Sequence, residues 1–207
     1  MAKKNAKEAA ETRERIINAA YSLCGDKGFS GTGTAEIAAA AGVTDGALFH
    51  HFKDKKVLFR EVVDRAQREF NDGVMEAASS CSSARTAFLT GARMSLILSQ
   101  RRGYQQIVLI DAPAVLGSAD WHSFNSALAM KSITPTLLAL AGKSDVPDTM
   151  LKPMGLLILG LLNETIFALN RQEPGVNIDS ILVLLEQSLN SWLERVANSG
   201  AKDAPLP

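Results

Sequence analysis

Two cysteines in 207 residues, no net charge and only 6% aromatic residues are the chain's main shortages. Cys24 and Cys81 stand far apart, with no CxxC and no clustered His, Asp or Glu beside them. That excludes a dithiol redox centre and a structural zinc site, and the two read as reduced thiols of a cytoplasmic protein. Met1 to Arg15 lacks the apolar stretch of a secretory signal. The most apolar run, Met154 to Leu169, is interrupted by Asn163-Glu164 and reads as too short to cross a bilayer, so a buried or interface helix is expected there. Long β-branched runs are missing too, and with Ala and Leu abundant the chain is expected to be all-α.

Zero net charge by itself argues against a nucleic-acid partner, but the distribution of charge argues for one. Residues 1–60 carry 10 Lys and Arg against 7 Asp and Glu, and the remainder carries 12 against 15. A basic end followed by an acidic body is the sense expected of a DNA-binding head.

Enzyme chemistry is poorly supported. Gly142-Lys143-Ser144 resembles the end of a phosphate loop, but Leu137 occupies the place of its first glycine. Gly31-Thr32-Gly33 lacks a third glycine and a preceding strand. His50 and His51 are adjacent on a helix, about 100° apart, and cannot share a metal. No nucleophile–base pair, metal set or cofactor motif emerges, so neither an enzyme, a metal nor a cofactor is expected. Asn163-Glu164-Thr165 is a glycosylation sequon by chance.

Periodicity predicts about nine helices. After a polar, basic arm over residues 1–7, a first helix runs to about Asp26, with Ile16, Ile17, Ala20 and Leu23 on one face; Gly28 ends it and Phe29 plugs into the core. Helix two spans Thr34 to Ala41 and helix three about Asp45 to Phe52. A fourth runs from Lys55 to about Ala78, its stripe formed by Val57, Leu58, Val62, Ala66 and Phe70. A fifth covers about Ala84 to Gln100. A short sixth from Gly103 to Ile110 is stopped by Pro113, and Pro135 kinks or splits a seventh over Ser118 to Ala141. The eighth opens at Pro147-Asp148 and the ninth is capped by Asn177 or Asp179. A boundary near Lys53 divides a head, 1–53, from a body, 54–207.

Thr34 to Phe52 has the parts of a helix-turn-helix. Ala38 is small where two helices cross, Gly42 tolerates positive φ, Val43 plugs the turn and Thr44 caps the next helix. Leu48 and Phe52 lie one turn apart as inward anchors. Opposite them stand Gly46, Ala47 and His50, with Phe49 and His51 on the flanks. Lys53, Lys55 and Lys56 follow as a phosphate site.

Through RERIINAAYSLCGDKGFSGT, IAAAAGVTDGALFHHF and KDKKVLFREVV, from about Thr12 to Val62, the chain resembles the TetR family of transcriptional regulators. The resemblance implies a ligand-responsive homodimer on a palindromic operator in double-stranded DNA, most simply a repressor released by an unknown small-molecule effector. It also implies DNA contacts from Thr44, Gly46, Phe49, His50 and Lys55, with Thr32 and Thr34 adding phosphate contacts. Phe49 stands where the family usually has Tyr, Asp45 where Lys, Ser or Arg is common, and Gly33 where a Ser or Thr cap is frequent. Asp45 suits the helix dipole and can accept from a cytosine amine, while Phe49 can meet a thymine methyl. These departures predict weak phosphate anchoring, and they leave open a ligand-binding or interaction protein whose head has lost DNA binding.

Helices five to seven offer Phe88, Arg93, Met94, Tyr104, Gln106, Ile107, Trp121, Phe124 and Asn125 as candidate pocket residues, each able to serve in a core instead. Helices eight and nine are more apolar than a solvent-facing helix allows. Leu157, Leu161, Ile166, Leu184, Leu185 and Trp192 are the expected contacts of a four-helix dimer interface.

Overall fold

A computed structural model describes residues 2–143 and 145–199, apart from the side chains of residues 2–5, 118–120, 122–124 and 128. Among the described residues there are helices and no strands. We number nine: α1 Ala2–Gly31, α2 Thr34–Ala41, α3 Asp45–His51, α4 Lys55–Ser79, α5 Ala84–Leu98, α6 over residues 102–116, α7 Ser118–Ala141, α8 Asp148–Asn170 and α9 Ile178–Asn198.

Three features differ from the expected elements. The basic arm is helical from Ala2 onward, continuous with α1. Pro113 does not stop α6, which passes from an α turn into a π-helix at Gln105–Asp111 and back to α at Ala112–Leu116. The Ala112 N–H bonds to the Ile107 carbonyl, five residues back, so the ladder is already widened where the proline ring must fit. Pro135 does not split α7 either.

The chain clusters into two compact units, Met1–Asn71 with Arg101–His122, and Asp72–Gln100 with Ser123–Pro207. The first division therefore falls within α4, and the first unit takes in α6.

In the first unit, Ile16, Ile17, Ala20 and Cys24 of α1 pack with Ile37, Ala38, Leu48, Phe52 and the α4 residues Leu58, Phe59, Val62, Val63 and Ala66. Val57, placed on the α4 stripe from the sequence, is instead 43% exposed. A polar edge runs beside this core from α1 to α4. Arg13 meets Glu61 at 2.7 Å, Arg65 meets Glu14 at 3.0 Å, and the Tyr21 hydroxyl donates to Glu69 at 2.8 Å. Burial, and then the bond to Glu69, push the Tyr21 phenol up to about 12. Gly25 and Gly103 let α1 and α6 approach closely, since a Cβ on Gly25 would lie 3.4 Å from Gly103 Cα.

The second unit has its own core, in which Phe88, Ala92, Leu137, Met154, Ile158, Leu185, Leu189, Trp192 and Val196 meet. Ser83 and Thr86 form a reciprocal capping box that starts α5, and the Asn177 side chain accepts from Ser180 N–H to start α9. Trp192 Nε1 donates to the Met150 carbonyl at 3.1 Å, tying α9 to α8. The helix α8, with 23 residues and a mean hydropathy of 1.4 over its most apolar stretch, is long and apolar enough to span a bilayer, contrary to the sequence expectation. One of its faces, with Leu151, Met154, Ile158 and Ile166, is nevertheless committed to the unit's core.

Candidate nucleic-acid interface

The turn between α2 and α3 is set by Gly42, whose φ of 65° and ψ of 39° place it in the left-handed region. The Gly42 N–H bonds to Ala39 O at 3.1 Å and the Val43 N–H to Ala38 O at 3.0 Å, which is the Schellman pattern. Arg15 of α1 adds a third bond to this helix end, Nη1 to Ala41 O at 3.2 Å. The Thr44 hydroxyl then accepts from Ala47 N–H at 3.2 Å and starts α3. Leu48 and Phe52 are 0% and 1% exposed, so the rotational setting of α3 is fixed by its two anchors.

With those anchors inward, Gly46 and His50 lie on the opposite side, and Thr44, Asp45, Phe49 and Lys53 are exposed as well. Phe49 is 48% exposed, which is unusual for so large an apolar ring on a short helix. A Cβ on Gly46 would meet only the Thr44 Oγ1, at 3.9 Å, so the backbone there is open to a close approach. His51 is half-buried behind this face, its ring 5.6 Å from that of His50. Burial, then His50 and Arg13, lower its pKa from 6.5. Arg13 itself lies 5.0 Å from the Phe52 ring centroid and pairs with Glu61.

Three of the expected phosphate contacts sit differently. Thr34 is half-buried at the first position of α2, behind a Gly33 cap that offers no side chain. Thr32 is 1% exposed and its hydroxyl donates to Gly28 O at 2.8 Å, so the expected phosphate contact from this hydroxyl is corrected: it closes the break in α1 instead. Lys55 is half-buried rather than extended. Its ammonium donates to Phe29 O and lies 4.1 Å from the Phe29 ring centroid, leaving two of its three protons for other partners. Lys27 pairs with Glu36 at the start of α2 and neutralises a carboxylate there, and this bond is the largest cause lowering the Glu36 pKa.

The candidate pocket residues are divided between the two units. Tyr104, Gln106, Ile107 and Trp121 belong to the first unit, where Ile107 and Trp121 are core and Tyr104 stacks on Phe70 at 4.6 Å. Phe88, Arg93, Met94 and Asn125 belong to the second, where Phe88 is core and Met94 and Asn125 are half-buried. The Phe124 side chain lies outside the described residues. A cleft of about 330 Å³ between α5 and α9 is lined by Leu89, Thr90, Arg93, Asp179, Leu182, Val183 and Glu186, so among the described candidates Arg93 alone borders it. Arg93 is paired there with Asp179 at 2.6 Å.

The expected interface residues all lie in the second unit and differ in exposure. Leu157 and Leu184 are 52% and 53% exposed, and Leu161 is half-buried. Ile166, Leu185 and Trp192 are buried within the second unit and are not available to a partner. The exposed apolar face of α8 and α9 is instead Leu156, Leu157 and Gly160 with Val183 and Leu184. Sequence reasoning did not single out Val183 or the capping Arg15. For Val183 the signal was present as an apolar residue off the main stripe, and for Arg15 there was none.

Residues 16–62 match the sequence model described as "Bacterial regulatory proteins, tetR family", and residues 85–190 that of "Tetracyclin repressor-like, C-terminal domain". The chain is 47% identical over 76 residues to the HTH-type transcriptional regulator AcrR of Shigella flexneri, a match covering 37% of this chain and 34% of that one. It is 41% identical over 71 residues to the HTH-type transcriptional repressor BepR of Brucella suis, covering 34% of each. The chain thus spans about a third of the length of these curated relatives. A TetR-family transcriptional regulator from Pectobacterium atrosepticum superposes with a TM-score of 0.67 at 26% identity, covering 97% of this chain and 98% of that one. One from Streptomyces coelicolor gives 0.63 at 19% identity over 93% and 95%, a likeness of fold alone.

Proposed function

The chain belongs to the TetR family of bacterial regulatory proteins, and on that premise we propose that it is a DNA-binding transcriptional regulator, not an enzyme, acting as a dimeric repressor. The observation that carries this reading is the exposed side of α3. Thr44, Asp45, Gly46, Phe49, His50 and Lys53 are all exposed around a helix whose rotation is locked by Leu48 and Phe52. A helix presented in this way, with small residues at its N-terminal end, fits the major groove. Lys53, the Thr34 end of α2 and the remaining protons of Lys55 supply phosphate contacts. Asp45 accepts from a cytosine amine, and Phe49 lies against a thymine methyl.

Two subunits join through Leu156, Leu157, Gly160, Val183 and Leu184, a face that is apolar and exposed in the single chain. The two recognition helices then read a palindromic operator. A small-molecule effector held by the helical body weakens DNA binding. The tetracyclin-repressor-like match over residues 85–190 supports this last step.

A gel-shift assay with duplex DNA from beside its own gene tests the central claim. A retarded band whose mobility corresponds to two subunits is expected. Failure to shift any DNA from that region, nor any duplex selected from a random pool, would sink the reading.

A further inference from the structure

Phe29 is held at both sides of its backbone by side chains from two other helices of the first unit. Its N–H donates to Asp111 Oδ2 at 2.7 Å. Its carbonyl accepts from the Lys55 ammonium, which also lies over the Phe29 ring. The ring rests against Phe59, with centroids 4.9 Å apart. Immediately before it, Gly28 at φ 76° and ψ 168° breaks α1, so Phe29 N–H loses its place in the helical ladder and needs an outside acceptor. The site has no slack. A Cβ on Gly28 would lie 2.9 Å from Gln106 Nε2 and 3.3 Å from Asp111 Oδ2. Asp111 is the last residue of the π-helical stretch Gln105–Asp111. An α-helical ladder through the same stretch would turn its side chain by a different angle, since each residue adds about 100° in an α-helix and less in the wider π form.

We propose that Asp111 is a positioning residue for DNA binding, acting through the Phe29 backbone on Lys55 and on the turn that leads into α2. This rests on the DNA-binding reading above. The carboxylate takes the N–H of the 28–29 peptide and the ammonium the C=O of the 29–30 peptide, so together they fix both peptide planes that flank the Phe29 Cα. Fixing Phe29 fixes the start of α4, where Lys55 has two protons left for a phosphate. It also fixes residues 29–32, where Thr32 returns its hydroxyl to Gly28 O and its N–H to Phe29 O at 3.3 Å. Gly33 follows as an N-cap without a side chain, so the start of α2 is held by the Glu36 carboxylate on the Gly33 backbone and by this turn. A carboxylate on α6 therefore sets a phosphate-facing lysine and the first helix of the helix-turn-helix.

The test uses the full chain and duplex DNA from beside its own gene. Asp111→Ala is expected to weaken binding about tenfold, and to flatten the slope of log affinity against log salt by roughly 1 to 2 for a dimer, the share of one phosphate contact per subunit. Asp111→Asn keeps an oxygen acceptor for Phe29 N–H and is expected to stay within about threefold of the wild type. Asp111→Ala in a Lys55→Met background is expected to add little, because both act on one contact. Amide hydrogen exchange without DNA gives an independent reading: faster exchange at Phe29 and over residues 34–41 in Asp111→Ala, and no change in Asp111→Asn. Should Asp111→Ala not fold, Asp111→Glu displaces the carboxylate by one methylene and takes its place. Wild-type binding and exchange in the alanine variant, equal damage from the asparagine variant, or full additivity with Lys55→Met would each overturn the proposal. If the wild type itself binds no DNA, the regulator reading fails, and the exchange pattern alone decides whether Asp111 orders α2.

Discussion

Arg15 Nη1 lies 3.2 Å from the Ala41 carbonyl, a bond spanning 26 positions that joins α1 to the last turn of α2. It adds a cation to the helix end whose carbonyls Gly42 and Val43 also serve. Replacing Arg15 with Met keeps much of the aliphatic stem and removes the bond. A loss of about 1 kcal/mol in urea unfolding is expected. Gly42→Ala is expected to cost a similar amount for another reason, since its φ of 65° strains any residue with a Cβ. An unchanged midpoint for both variants would show that the turn is held from elsewhere.

Gly46→Glu separates folding from recognition. The position is exposed and helical, and a new Cβ meets nothing nearer than 3.9 Å. Stability within about 1 kcal/mol of wild type is expected, together with loss of operator binding, because a carboxylate would point at the groove. Retained binding would place DNA against a different face.

The subunit interface is tested by contrast within α9. Leu184 is 53% exposed and its neighbour Leu185 is 0% exposed. Leu184→Glu, like Leu157→Glu on α8, is expected to give folded monomers in sedimentation. Leu185→Ala is expected to lose about 2–5 kcal/mol of stability through the cavity it leaves. Dimers that survive both glutamate substitutions would remove the proposed interface.

Protonation of His51 opposes folding. Its pKa is lowered from 6.5, first by burial and then by His50 and Arg13, so the folded state favours the neutral ring. The stability this contributes is complete above the unfolded value and is lost as pH falls through the folded one, because the unfolded chain then binds the extra proton. Chemical denaturation from about pH 7.5 to 5 should show this decline, and His51→Gln should flatten it. Parallel curves for the two proteins would assign the decline to other groups.

Salt dependence reports the number of phosphate contacts. Phe49 lacks a phenolic hydroxyl, Asp45 repels phosphate, Gly33 has no cap hydroxyl, and Thr32 is turned inward. Fewer than about 4 ionic contacts per subunit are expected, which bounds the slope of log affinity against log salt for a dimer near −8. A steeper measured slope would reveal phosphate contacts beyond these.

Much of the first unit was legible because its signals are local. Gly42 turns, Thr44 caps, and Leu48 and Phe52 repeat at helical spacing, so neighbours in sequence decide the shape of this corner. The surroundings of Thr32 and Lys55 were not legible because their partners lie outside that local pattern: the broken ladder at Gly28 consumes the Thr32 hydroxyl, and Phe29 takes one bond from Lys55. The apolar faces of α8 and α9 were visible, but a helix apolar on two sides does not declare which side meets its own core. That is why Leu157 and Leu185 were expected alike at an interface, although Leu157 is 52% exposed and Leu185 0%.

Composition and periodicity alone determined an all-α chain with a helix-turn-helix near its basic end, because helix propensity, capping and the needs of a left-handed turn act over a few residues. Only the tertiary structure decided that residues 105–111 are π-helical, that Asp111 reaches Phe29 at 2.7 Å across 82 positions, and which leucines face solvent. Those outcomes depend on packing between distant segments, where a shift of one position turns a helical side chain by about 100° and exchanges a core residue for an exposed one.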